Sequence, residues 1–210
     1  MLGFRSGRFH SLDRLEFALD GQFLPSLLGS LTKQAARGCL FVGIDSAATS
    51  LHRAEEYVLG RNSDRYEQHR RWILDRLLPS IFLQFALEKS SVRVALSGYS
   101  HGAVCALDMF VDEPFTFDDA IIMSPVCSLR HLDRLKSLTS ESRPRGAVYL
   151  SCGSRESPCR SANHRLEKLF LKAEISVINQ VIGGMGHESK LWVDEFAKGL
   201  AWIRSESEPK

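Results

Sequence analysis

Residues 97–103 read SGYSHGA and follow the run VRVAL. Gly98, Ser100 and Gly102 therefore hold a G-x-S-x-G spacing between an apolar, β-branched segment and the helical pattern HGAVCALDMF. Where a strand turns abruptly into a helix, flanking glycines remove Cβ atoms that would clash, and the serine between them stands exposed in a strained conformation. A serine hydroxyl is a weak nucleophile until a base takes its proton. In this layout the base follows the last strand, and the chain order is serine, acid, histidine.

Seven histidines are present. His10, His52 and His69 precede the serine, His101 belongs to the turn itself, and His131 and His164 fall in helical patterns. His187, in the glycine-rich loop GGMGHE after the last strand pattern, is the expected base. The acid should follow the strand pattern AVYLSC, where the loop reads GSRESP, so Glu156 is the candidate. Asp194 and Glu188 are near His187 in sequence but on the following helix, and Asp118 and Asp119 precede a strand, at the wrong end of a sheet. Developing negative charge on a reacting carbonyl needs two backbone N–H groups. His101, after the serine, is expected to offer one. The other should come from the loop after an early strand, where Gly21 and Gln22 follow LEFAL.

The elements that must position these residues are legible as alternating short apolar runs and amphipathic patterns, the signature of βαβ units and a largely parallel sheet. Strand patterns fall at LEFAL (15–19), CLFVGI (39–44), VRVALS (92–97), DDAIIMS (118–124), AVYLSC (147–152) and EISVINQVI (174–182). Residues 45–64 show little periodicity and read as a loop. Ile73, Leu77, Ile81 and Phe85 mark one helix face between 66 and 88, which Pro79 should kink or divide. Further helices are expected over 129–138 and 161–173, and a last one carries Trp192, Phe196, Leu200 and Ile203 on one stripe. In such doubly wound sheets ligands sit at the carboxyl ends of the strands, where SGYSHGA, CGSRES and GGMGHES all begin. One domain over residues 1–210 is predicted, with a frayed tail from 205.

With 27 Lys and Arg against 25 Asp and Glu, the net charge of +2 gives no footing for nucleic acid. No apolar run reaches the length of a membrane span, and no secretory signal pattern opens the chain. The five cysteines form no C-x-x-C pair, and Cys152, Cys159 and His164 match no common zinc spacing. A cytoplasmic protein without metal or organic cofactor is the expectation.

These residues resemble the esterase family of the α/β-hydrolase fold that includes enterochelin esterases, esterase D (S-formylglutathione hydrolase) and feruloyl esterases. The resemblance runs from about Leu15 to Ile203, through DGQ (20–22), FVGID (41–45), HRAEEY (52–57), RYEQHRRWILDRLLPSI, the SGYSHGA turn, CGSRES and GGMGHESKLWVDEFAKGLAWI. HRAEEY and RLLPSI are most similar to the enterochelin-esterase-like branch. The resemblance implies an α/β-hydrolase-like, doubly wound sheet of about six strands, short of the family's first antiparallel edge strands, with an exposed edge through which copies could associate. It implies Ser100 as nucleophile, His187 as base and Glu156 as acid, with Arg53 and Glu56 holding their loop and Arg53 near an anionic or catecholate substrate. A serine esterase working through an acyl-enzyme on a small-molecule ester is the leading expectation. A ligand- or partner-binding relic of the fold and an acyltransferase with the same triad are the alternatives.

Overall fold

The structure is a computed structural model that describes residues 14–19, 28–29, 31, 37–126, 133, 135–136 and 143–207. The strands among the described residues are β1 (Arg14–Leu19), β2 (Cys39–Ile44), β3 (Arg93–Tyr99), β4 (Asp119–Met123), β5 (Ala147–Gly153) and β6 (Ser176–Ile182). All pair in parallel, in the order β2-β1-β3-β4-β5-β6. The chain runs outward from β1 to β2 and then returns to β3 on the other side of β1, so the order reverses there. A crevice outside the carboxyl ends of the strands is expected at such a reversal. Among the described residues, β2 and β6 are the edges.

Alternation along the central strands sends side chains to two cores. Phe17, Val94, Leu96, Ile122, Val148 and Leu150 face one side, with Phe110 and Phe170. Ala18, Ala95, Ile121, Ala147 and Tyr149 face the other, with Phe196, Leu200 and Ile203. The first side carries α1 (Ser50–Tyr57), α2 (Ser63–Trp72), α3 (Leu78–Gln84), α4 (His101–Asp112) and α5 (Ser157–Lys172); the second carries α6 (Ser189–Ser207). Because the strands of a parallel sheet are covered on both faces, β3, β4 and β5 are buried almost throughout.

Three expectations change. The segment 45–64 contains α1, capped by Thr49, whose hydroxyl accepts the His52 N–H; its short amphipathic pattern buries only Ala54 and Tyr57, too little for periodicity to reveal. The helix expected over 66–88 is divided, but ahead of Pro79: residues Ile73–Leu77 form a π turn in which the Leu78 N–H donates to Ile73 O. Widening that turn lets a proline, which offers no N–H, enter the first turn of α3 without a clash. Of the tail expected to fray from 205, residues 205–207 continue α6, which runs through Ser207, and 208–210 lie outside the described residues. Ser176 Oγ bonds Glu206 Oε2 at 2.6 Å and Arg14 Nη2 bonds Ser207 Oγ at 3.2 Å, tying that last turn to the sheet.

The amino ends of the strands are held by Asp119, fully buried at the start of β4. It receives Arg14 Nη1 at 2.8 Å, Arg93 at 3.0 and 2.8 Å, and the Ala147 N–H at 2.9 Å. This binds β1, β3, β4 and β5 together, at the end of the sheet away from the serine. Glu16, in β1, is also fully buried. Burial pushes its pKa up to about 7, against the downward pull of Arg14 and Ser97 and with Asp119 adding to the rise.

Candidate active site

Ser100 sits between β3 and α4 with φ 55° and ψ −122°. A non-glycine residue stays in such a conformation only where its surroundings over-determine it. Here its N–H donates to Met123 O at 3.0 Å and its carbonyl accepts from the Val104 N–H at 3.3 Å. Gly98 is required by close approach rather than by its own φ: a Cβ there would stand 2.4 Å from Gly102 O and 2.8 Å from Ala103 N. The glycine spacing thus lets α4 start directly against β3. The Ser100 N–H is taken by Met123 O, and His101 opens α4, at a helix N-terminus whose dipole favours negative charge.

Glu156 and His187 belong to loops that follow β5 and β6, and these loops are laced together. Ser154 N donates to Ile182 O at 2.9 Å, Arg155 N to Met185 O at 3.0 Å, and Gly184 N to Ser154 Oγ at 2.9 Å. Gly153 permits the contact, because a Cβ would lie 2.3 Å from Met185 O. The Glu156 carboxylate folds back so that Oε2 accepts the Gly153 N–H at 2.6 Å and the Ser124 hydroxyl at 2.8 Å. Its other oxygen, Oε1, lies 2.5 Å from His187 Nδ1, and His187 Nε2 lies 3.0 Å from Ser100 Oγ. The three side chains expected from sequence are therefore one hydrogen-bonded chain.

Burial raises the pKa of Glu156, but the hydrogen bonds from Gly153, His187 and Ser124 and the charge of His187 outweigh it, so the net shift is downward. A carboxylate held ionised can only accept. The Nδ1 proton of His187 is thereby assigned to the Glu156 side, which leaves Nε2 as an acceptor for the Ser100 hydroxyl. The ring is part exposed, with 42% of its side-chain surface open against 5% for Glu156, so the imidazole meets solvent while the carboxylate is closed from it.

The rejected carboxylates are occupied elsewhere. Asp194 pairs with Lys190 at 2.6 Å, Glu188 caps the Gly186 N–H at 3.0 Å, and Asp119 serves the far end of the sheet. Gly21, Gln22, His10, His131 and Cys127 lie outside the described residues. Arg53, on α1, has its guanidinium 5.6 Å from the Tyr99 ring and 5.8 Å from the Tyr57 ring. Glu56 Oε2 accepts the Ala47 N–H at 2.8 Å and so ties the loop after β2 to α1. A concavity of about 590 Å³ opens between α1 and α2, lined by Glu56, Arg65, His69 and Trp72 among others, and none of Ser100, Glu156 or His187 lines it.

Two neighbours of the chain carry no chemical motif and escape a reading by spacing. Ser124, the residue after β4, has φ 50°. Trp192, which the sequence places on a core stripe, packs against the second core and also donates from Nε1 to Ser124 Oγ at 3.1 Å, stacks on Tyr99 at 4.1 Å and meets the His187 ring edge-on at 5.0 Å. A carboxylate oxygen of Glu156, the thiol of Cys159 and a ring nitrogen of His187 come within 4.8 Å of one another. Burial, with the charge of Glu156 and Cys152 adding to it, pushes the Cys159 thiol up to about 12. Among the described residues no helix is long and apolar enough to cross a membrane.

A parallel sheet with the order reversed at β1, a strained serine after β3 and partners after β5 and β6 define the α/β-hydrolase fold. The chain belongs to the family described as "Putative esterase", whose model matches residues 41–203. Among solved structures, the enterobactin esterase of Shigella flexneri is similar at 23% identity and a TM-score of 0.73, over 92% of this chain and 53% of that one. The BES protein of Bacillus cereus is similar at 21% identity and a TM-score of 0.74, over 90% and 82%. The siderophore hydrolase EstA of Aspergillus nidulans is similar at 16% identity and a TM-score of 0.70, over 96% and 85%. This chain thus spans about half the length of the Shigella esterase. No curated protein matches the sequence.

Proposed function

We propose that the chain hydrolyses carboxylic esters through an acyl-enzyme formed on Ser100. The observation that carries this reading is the continuous chain from Ser100 Oγ to His187 Nε2 at 3.0 Å and from Nδ1 to Glu156 at 2.5 Å, on a serine held at φ 55°. Ser100 Oγ attacks the ester carbonyl as His187 Nε2 takes its proton, and Glu156 stabilises the imidazolium. The His101 N–H holds the developing oxyanion, joined by the backbone of Gly21 or Gln22. His187 then protonates the departing alkoxide, and water, deprotonated by the same nitrogen, releases the carboxylic acid and restores Ser100.

For substrate we propose a small ester of the kind the neighbours' names suggest, a siderophore lactone among them, with the Arg53 guanidinium attracting an anionic or phenolate group beside Tyr99. Membership of an esterase family supports the reaction class, and the fold supports the placement of the loops. The test is fluorophosphonate labelling and ester turnover of the parent beside Ser100→Ala. Loss of labelling and a fall of several orders of magnitude in turnover are expected; equal rates in the two proteins would reject the mechanism. A panel of simple esters, thioesters and siderophore lactones, with Arg53→Ala alongside, ranks the substrate classes.

A further inference from the structure

Ser124 is buried at the carboxyl end of β4, in a left-handed conformation that persists only where neighbours impose it. Its N–H is tied to Ser151 O at 2.7 Å. Its hydroxyl has one proton to give, and the geometry says where: Trp192 Nε1–H enters from one side at 3.1 Å, and Glu156 Oε2 waits on the other at 2.8 Å. The indole N–H can only donate, so it occupies a lone pair of Oγ and leaves the Ser124 proton to the carboxylate. Oε2 then holds two donors, Ser124 and Gly153, and Oε1 is left to His187. The carboxylate cannot turn without breaking both.

Trp192 is itself fixed by the parts it serves. It stacks at 4.1 Å and 15° on Tyr99, the residue before Ser100, and lies edge-on to the His187 ring at 80°. We propose that Trp192 and Ser124 are positioning residues, a relay from the Trp192 N–H through the Ser124 hydroxyl to Glu156 that sets which carboxylate oxygen meets His187. The relay rests on the reading of Ser100, His187 and Glu156 as the reacting triad, and acts only through it.

The experiment is a double-mutant cycle on fluorophosphonate labelling and on kcat and KM for a p-nitrophenyl ester, with Ser124→Ala, Trp192→Phe, the double variant and Ser100→Ala. Trp192→Phe keeps an aromatic ring over Tyr99 while removing the N–H together with the five-membered part of the indole. A hydrogen bond to a charged group is worth about a tenfold change, so Ser124→Ala should lower the labelling rate and kcat roughly tenfold with KM nearly unchanged. Trp192→Phe should lower them roughly threefold, and the double variant should be no worse than Ser124→Ala, because the indole acts through the hydroxyl. Losses that multiply in the double variant, or variants at the parent's rate, overturn the relay. Labelling that survives Ser100→Ala overturns the triad and the relay together, whereas Ser100-dependent labelling with unaffected variants overturns the relay alone. Should Ser124→Ala fail to fold, Ser124→Gly suits the backbone at φ 50° and removes the same hydroxyl.

Discussion

Replacing Gly98 by alanine inserts a Cβ 2.4 Å from Gly102 O, 2.5 Å from Gly102 C and 2.8 Å from Ala103 N. All three are backbone atoms of the first turn of α4, so no side chain can rotate away. Contacts under 3.0 Å are essentially never found for a real Cβ, and relief therefore requires the helix start to retreat by about 0.6 Å at least, and about 1 Å for ordinary van der Waals contact. Ser100 rides on that start, and its Oγ is 3.0 Å from His187 Nε2. A misplacement of about 1 Å can cost roughly a hundredfold in rate, near 2.7 kcal/mol of barrier. Forcing one extra carbon into a packed contact also costs about 1–3 kcal/mol of stability, or roughly 3–10 °C in Tm for a chain of this size. Fluorophosphonate labelling gives the first quantity and a thermal melt the second. Gly98→Ala at the parent's labelling rate, with an unchanged Tm, would refute the view that glycine is there to let helix and strand touch.

Three further outcomes follow from the same geometry. Glu156→Gln leaves the shape of the site but replaces an acceptor-only carboxylate by an amide that can present N–H to His187 Nδ1; labelling should fall by roughly 10³–10⁴, as followed by stopped labelling time courses. Glu16 has a folded pKa near 7, above the ordinary carboxylate value from which it starts, so the folded state binds more protons than the unfolded one between about pH 4.5 and 7. Its contribution is fully present below that window and lost as pH rises through it, on the order of 3 kcal/mol; urea melts of Glu16→Gln across pH 4–8 should show a flatter profile than the parent, and parallel profiles would remove Glu16 from the account. Asp119→Ala strands the buried Arg14 guanidinium, now paired at 2.8 Å. It should cost about 3–5 kcal/mol in denaturant unfolding at a site remote from the serine.

Much of the fold was legible because strands and helices leave local marks. Each strand pattern appeared where a strand stands among the described residues, and CLFVGI matches β2 residue for residue. The helix at 50–57 was not legible: with two buried residues in eight, it owes its place to capping by Thr49 and to packing against distant elements. The π turn at Ile73–Leu77 was legible only as a warning, since Pro79 announces a missing N–H but not which neighbour will widen to accommodate it.

The sequence by itself determined the turn at Ser100 and the placing of Ser100, Glu156 and His187 after successive strands, because glycine spacing and strand–loop alternation express sterics that act within a few residues. Only the tertiary structure decided that Glu156, and no other carboxylate among the described residues, meets His187, since that contact depends on two loops 31 residues apart being laced through Gly153 and Met185. It alone showed the bond between Trp192 and Ser124, across 68 residues, and the burial of Glu16. A side chain's hydrogen-bond partner is set by what other strands and helices bring to it, and the residue's own neighbours in sequence carry no record of that.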